Sequence, residues 1–234
     1  MIKQKKYIYR LALEIIDLIF PKYCIGCGQE GEILCQQCRN KVKWADQLRC
    51  DLCGKIIYSR RLCSQCRKST GMCDFVSIGP MENLLREALH KFKYEDLKQV
   101  SPALGEMIAG NITDRQMMPG ILVPMPLHYT RLRERGYNQS ALIARSLNKY
   151  LNWPVVDALV RVKKTHQQMK LHREARLENV KGAFLCRYDL GKCDMPVYLV
   201  DDVMTTGATM KEAAKVLKKA GADKIVGVAA AVER

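Results

Sequence analysis

The chain has 234 residues, 48% of them apolar, and Lys and Arg outnumber Asp and Glu by 39 to 24, a formal net charge of +15. That length accommodates a small module plus an ordinary domain, or one large domain, and the apolar share is enough for a packed core. The positive excess argues for polyanionic partners, phosphates or nucleic acid, with a merely soluble basic surface as the plainer alternative.

Residues 1–23 open with Lys3, Lys5, Lys6 and Arg10 and continue into an apolar run that contains Glu14 and Asp17. Two acids inside such a run spoil a secretion signal and rule out a membrane span. The spacing of Ile15, Ile16, Leu18, Ile19 and Phe20 predicts a short amphipathic helix ended by Pro21 and packed on protein. The chain therefore reads as cytoplasmic, and its eleven cysteines do not read as disulfides.

Residues 24–72 carry an internal repeat. Cys24-Ile-Gly-Cys27-Gly leads to Leu34-Cys35-Gln-Gln-Cys38-Arg39, and Cys50-Asp-Leu-Cys53-Gly54 leads to Leu62-Cys63-Ser-Gln-Cys66-Arg67. Two thiolates separated by two residues can bite one tetrahedral ion. The glycine that follows lets the backbone take positive φ and turn its amides toward sulfur. Eight thiolates suffice for two closed Zn(Cys)4 sites, a double zinc ribbon of structural or recognition character; iron–sulfur ligation is the rival metal chemistry. The repeat favours Cys24, Cys27, Cys35 and Cys38 on one ion and Cys50, Cys53, Cys63 and Cys66 on the other. A cross-braced pairing of first with third and second with fourth pairs stays open. Cys73, Cys186 and Cys193 have no such partner and read as spare thiols. Arg39, Lys41, Lys43, Arg49, Lys55, Arg60, Arg61, Arg67 and Lys68, with Trp44 and Tyr58 among them, suit single-stranded nucleic acid or an ordinary solvated face.

From about residue 75 the pattern becomes α/β. Leu84, Leu85, Ala88, Leu89 and Phe92 recur at helical spacing, as do Ala141, Leu142, Ala144 and Leu147. Apolar runs at residues 120–123, 197–200 and 225–230 predict buried strands. Their alternation with helices predicts a mostly parallel, Rossmann-like sheet over residues 73–234, with ligands beyond the carboxyl ends of the strands.

One such end reads Val197-Tyr-Leu-Val-Asp201-Asp202-Val-Met-Thr205-Thr206-Gly207-Ala208-Thr209, followed by a predicted helix over 210–220 that Gly221 stops. The amides at that helix start and the threonine hydroxyls form a cradle for a phosphate monoester, and two adjacent acids can accept hydrogen bonds from a ribose diol. The alternative is a generic α/β turn with a fortuitous acid pair. The stretch resembles the phosphoribosyl pyrophosphate (PRPP) signature of type I phosphoribosyltransferases, Tyr198 being its only slightly unusual member.

With the ribbon in front, the chain resembles the ComF (ComFC) family of competence-associated proteins along nearly its whole length. The resemblance rests on Leu18-Ile-Phe-Pro21 before Cys24 and on Phe92-Lys93-Tyr94. It includes Val123-Pro124-Met125-Pro126-Leu127-His128, and Arg131-x-Arg133-x-Arg135-Gly136-Tyr137-Asn138-Gln139. The stretch Thr165-x-x-Gln168…Arg173…Asn179-Val180 completes it.

It implies a type I phosphoribosyltransferase fold whose pyrophosphate loop spans residues 124–135. Arg131 and Arg135 would face the pyrophosphate while Mg²⁺ ligates the same oxygens. Residues 161–179, with Arg161, Lys163, Lys164, Lys170, Arg173 and Arg176, would form a mobile hood, or else a solvated basic loop. Asp201 and Asp202 would hold the ribose during displacement of pyrophosphate, with Thr205, Thr206, Gly207, Ala208 and Thr209 around the 5′-phosphate. His128, His166 and His172 are available, but none marks an acceptor-base pocket.

The resemblance further implies DNA uptake during natural transformation, handing single-stranded DNA to a competence helicase or recombination mediator. Two main functions compete. One is a module that binds PRPP and single-stranded DNA, and the other is an active phosphoribosyltransferase of nucleotide metabolism or salvage. A purely structural adaptor fits less well with an intact acid pair and loop.

Overall fold

The computed structural model describes residues 21–45, 48–58, 61–163, 180–191 and 193–233. Residues 1–20 of the expected helical segment 1–23 and most of the hood over 161–179, with His166 and His172, lie outside the described residues. The chain divides into two compact units, with the division between Val42 and Lys43. One cysteine quartet therefore falls in each unit.

The two knuckles fold alike because their sequences repeat. In the first, Cys24 N–H donates to Gln29 O and Gly28 N–H to Cys24 O, both at 2.8 Å, and Tyr23 bridges Glu30. In the second, Cys50 N–H donates to Lys55 O and Gly54 N–H to Cys50 O, again at 2.8 Å, and Arg49 bridges Ile56. Gly28 and Gly54 take φ of 71° and 74°, the left-handed turn expected after each second cysteine. Each later cysteine pair opens a short helix, α1 (Gln36–Asn40) in the first unit and α2 (Ser64–Thr70) in the second.

The second unit is α/β. Its further elements are β1 (Asp74–Pro80), α3 (Asn83–Tyr94), α4 (Val100–Asp114), β2 (Ile121–Pro124), α5 (Tyr129–Arg135), α6 (Gln139–Leu151), β3 (Leu159–Arg161), β4 (Phe184–Cys186), β5 (Val197–Met204), α7 (Ala208–Lys219) and β6 (Ile225–Val232). β1, β6, β5 and β2 lie side by side in that order, all parallel, whereas β3 and β4 form a separate antiparallel pair. The mixed α/β class with a mostly parallel sheet is as expected. Every residue of β6 is buried, as a strand covered on both faces must be. Val197 and Leu199 share a core with Met210, Ala213, Ala214 and Leu217 of α7. α6 packs on β5 and β2, and α4 on β1.

That core also contains Cys50, Leu62 and Cys63 of the second knuckle. A buried ion pair ties the same knuckle to the sheet. Arg61 Nη2 and Nε donate to the two carboxylate oxygens of Asp51 at 2.7 and 3.0 Å, and Ser77 Oγ of β1 donates to Asp51 at 3.4 Å. Arg61 N–H reaches Asp74 of β1 at 3.3 Å. Among the described residues, no helix is long and apolar enough to cross a membrane.

Candidate functional site

Strand β5 delivers the acid pair. It runs beyond the apolar stretch 197–200, because Asp201 and Val203 stay paired with Ala229 and Ala231 of β6. The chain then turns at residues 205–207. Gly207 has φ 73°, a conformation that strains any side chain with a Cβ, and caps the N-terminus of α7, where Lys211 N–H donates to Gly207 O at 2.8 Å. The helix thus starts at Ala208 rather than at residue 210, and Gly221, with φ 97°, follows its end.

A cavity of about 1140 Å³ opens over this corner. Asp201, Asp202, Thr205, Gly207, Ala208 and Thr209 line it together with Arg131 and Arg135. Of the nine residues expected around the sugar phosphate, Thr206 alone is not on its wall. Its Oγ1 accepts from Ala208 N–H at 3.4 Å and so shapes the turn. Arg133 and Arg161 add positive charge to the same wall. Arg161 lies over the Phe184 ring at 5.5 Å. Burial, then the nearness of Arg131, makes its guanidinium easier to deprotonate than usual.

The acids are held differently. Asp201 Oδ1 accepts from Ser140 Oγ at 3.0 Å and from Asp202 N–H at 2.9 Å. Burial, then the adjacent Asp202 charge, pushes Asp201 up to about 7 against those hydrogen bonds. Asp202 Oδ1 accepts from Val203 N–H at 2.6 Å and pairs with Lys93 Nζ of α3 at 3.3 Å. The pair is therefore one carboxylate clamped by a lysine and one carboxyl poised near neutrality.

Lys93 and Ser140 are additions to the sequence reading. Both lie in or beside the motifs quoted above, but nothing local in the sequence says that either reaches β5. The turn before α6 explains how they do. Tyr137 Oη and, at 3.5 Å, Gln139 Nε2 donate to the Phe92 carbonyl, anchoring the last turn of α3. Asn138 Nδ2 donates to Met125 O at 2.9 Å, while its Oδ1 caps α6 by accepting from Ser140 N–H at 3.1 Å. His128 plays a similar capping part for α5, its Nδ1 accepting from Thr130 N–H at 3.4 Å.

The metal centres are more clear-cut. Cys24, Cys27, Cys35 and Cys38 bring their sulfurs within 4.8 Å of one another, and so do Cys50, Cys53, Cys63 and Cys66. Each repeat thus assembles its own quartet, and the cross-braced pairing does not occur. Cys27 and Cys35 sulfurs lie 3.6 Å apart and Cys53 and Cys63 sulfurs 3.7 Å apart. The edge of a tetrahedron with Zn–S bonds of about 2.3 Å is about 3.8 Å, so both quartets fit zinc.

Protonation within them is uneven. Burial raises the Cys24 thiol, but the amides of Cys35, Cys27 and Gly26 bring it down to about 6, while burial and the neighbouring thiols push Cys38 up to about 12. At Cys63 burial is outweighed by the Cys66 amide and adjacent thiols, giving about 7, and Cys66 is driven upward by burial and those thiols. Four sulfurs this close ionise together only around a divalent cation. Filling both sites would lower the formal charge to about +11. Cys73, Cys186 and Cys193 belong to neither quartet.

The family model described as a double zinc ribbon domain matches residues 15–67. Competence protein F of Haemophilus influenzae is 31% identical over 217 residues, covering 86% of this chain and 93% of that protein. The DNA utilization protein YhgH of Escherichia coli K12 is 29% identical over 198 residues, 81% of this chain and 86% of its own length. Competence protein ComFC of Bacillus subtilis is 28% identical over 203 residues, 81% of this chain and 80% of its own. A cysteine-quartet ribbon and a parallel α/β sheet in one chain, with 86% of that chain aligned to competence protein F, make this chain a member of the ComF family.

Proposed function

We propose that the chain binds Mg²⁺–PRPP at the end of β5 and single-stranded DNA on its basic surface, acting in the cytoplasm during DNA uptake for natural transformation. In this reading residues 73–234 are a phosphoribosyltransferase-like domain behind a double ribbon at 24–72 and an N-terminal helix at 1–23. The carrying observation is that the acid pair, the turn at 205–209 apart from Thr206, and the arginines of α5 all face one cavity. The ribose diol would bond Asp201 and Asp202, and the 5′-phosphate the amides and hydroxyls of residues 205–209. Arg131 and Arg135 would meet the pyrophosphate. Bound Mg²⁺ would neutralise pyrophosphate oxygens. The DNA role draws on the names competence protein and DNA utilization protein borne by the relatives, and on the charge of +15. A competence helicase or recombination mediator is the partner this role calls for.

Catalysis is the second reading. A cavity of about 1140 Å³ is at the upper end of small-molecule sites, with room for a nitrogenous acceptor beside the sugar phosphate. Titration calorimetry tests the binding reading. Wild-type protein should bind Mg²⁺–PRPP, and Asp201→Asn with Asp202→Asn should abolish binding with zinc content unchanged; equal affinity in the two proteins would remove the site. Pyrophosphate release that depends on an added base would favour the enzyme.

A further inference from the structure

The two knuckles, near-identical in sequence pattern, differ at one position that matters for the ligand loop. Between its cysteines the first carries Ile25 and Gly26, and the second carries Asp51 and Leu52. Leu52 has a side chain where Gly26 has none, and that side chain touches the phosphate turn. A Cβ built on Gly207 would lie 2.7 Å from Leu52 Cδ2 and 3.9 Å from Met204 Sδ. Leu52 packs against the core that Cys50, Leu62 and Cys63 share with Met204 and Met210, the residues on either side of the turn. Asp51, its neighbour, is pinned by the bidentate bond from Arg61.

We infer that Leu52 is a positioning residue for the turn at 205–209, and that the second metal knuckle, through it, holds the loop that receives the sugar phosphate. The inference rests on the ligand reading above and adds the element that supports it. Gly207 sits at φ 73° and Thr206 closes the turn with one long bond of 3.4 Å. A loop that must present amides to a phosphate at defined positions gains from a rigid backing, because ordering it on binding would cost affinity. Four sulfurs around one ion make the Leu52 backbone such a backing.

The test uses the full-length, zinc-loaded protein with Leu52→Ala, the conservative Leu52→Met, and Ile56→Ala, an exposed residue of the same knuckle. Amide hydrogen exchange over residues 204–209 is read without ligand, and Mg²⁺–PRPP affinity by calorimetry. Leu52→Ala should keep both zinc ions, exchange these amides about tenfold faster and bind the ligand about tenfold more weakly. Leu52→Met should restore both readings, and Ile56→Ala should match wild type. Unchanged exchange in Leu52→Ala at full zinc content overturns the inference whatever the ligand does. Wild-type protein that fails to bind Mg²⁺–PRPP overturns the ligand reading, and the exchange data then decide the role of Leu52 on their own.

Discussion

Asp201 makes the candidate site costly to the folded chain, and replacing it should reveal how costly. Its carboxyl stands at about 7 rather than the ordinary 3.8, because burial and Asp202 disfavour the anion. The folded state thus holds a proton that the unfolded chain releases. Below pH 3.8 both states are protonated and the group has no effect. Between there and pH 7 stability falls as pH rises, and above pH 7 the penalty is complete. The interval from 3.8 to about 7 corresponds to about 4 kcal/mol, and relaxation around the anion reduces this to about 2–4 kcal/mol. Asp201→Asn removes the charge but keeps an oxygen to accept from Ser140 Oγ and Asp202 N–H. The variant should therefore be more stable than wild type by about 2–4 kcal/mol at pH 8 and nearly equal to it at pH 4. Urea denaturation followed by circular dichroism at the two pH values measures the difference. Equal stabilities at pH 8, or a variant weaker than wild type there, would refute the reasoning.

Two other outcomes follow from charge. Arg61→Met leaves the Asp51 carboxylate buried with its bidentate partner gone, and should cost about 3–5 kcal/mol in the same urea experiment; adding Asp51→Leu should recover most of that loss. Affinity for single-stranded DNA should fall with salt by about 0.7 log units per log unit for each phosphate neutralised, read by fluorescence anisotropy. A flat response would remove the electrostatic case for DNA.

The cysteine repeat was legible because metal ligation is local: two residues between sulfurs and a glycine after them specify the knuckle whatever surrounds it. Strands β2, β5 and β6 were visible as apolar runs for a similar reason. The last four residues of β5 were not, since Asp201 and Asp202 break the apolar pattern while β6 continues the ladder beside them. Helix α4 escaped notice because it is buried on most sides. Val100, Leu104, Ile108 and Ile112 are covered, and so are Ser101, Gly105 and Ala109, leaving no one-sided stripe. Strand β1 went unread as well, its apolar residues interrupted by Ser77 and Gly79. The acids and the turn were readable as a motif. Lys93, Ser140 and Leu52 were not, because each acts on the site from a distant segment that only the fold brings near.

The four side chains from Tyr137 to Ser140 serve three stretches between them: the end of α3 twice, the loop after β2, and Asp201. A helix turns about 100° per residue. Gln139 and Ser140 open α6 while Tyr137 and Asn138 precede it, so inserting or deleting a single amino acid among them would rotate the helical pair away from its acceptors relative to the other two. Length, more than chemical identity at any one position, is thus the least forgiving property of the segment.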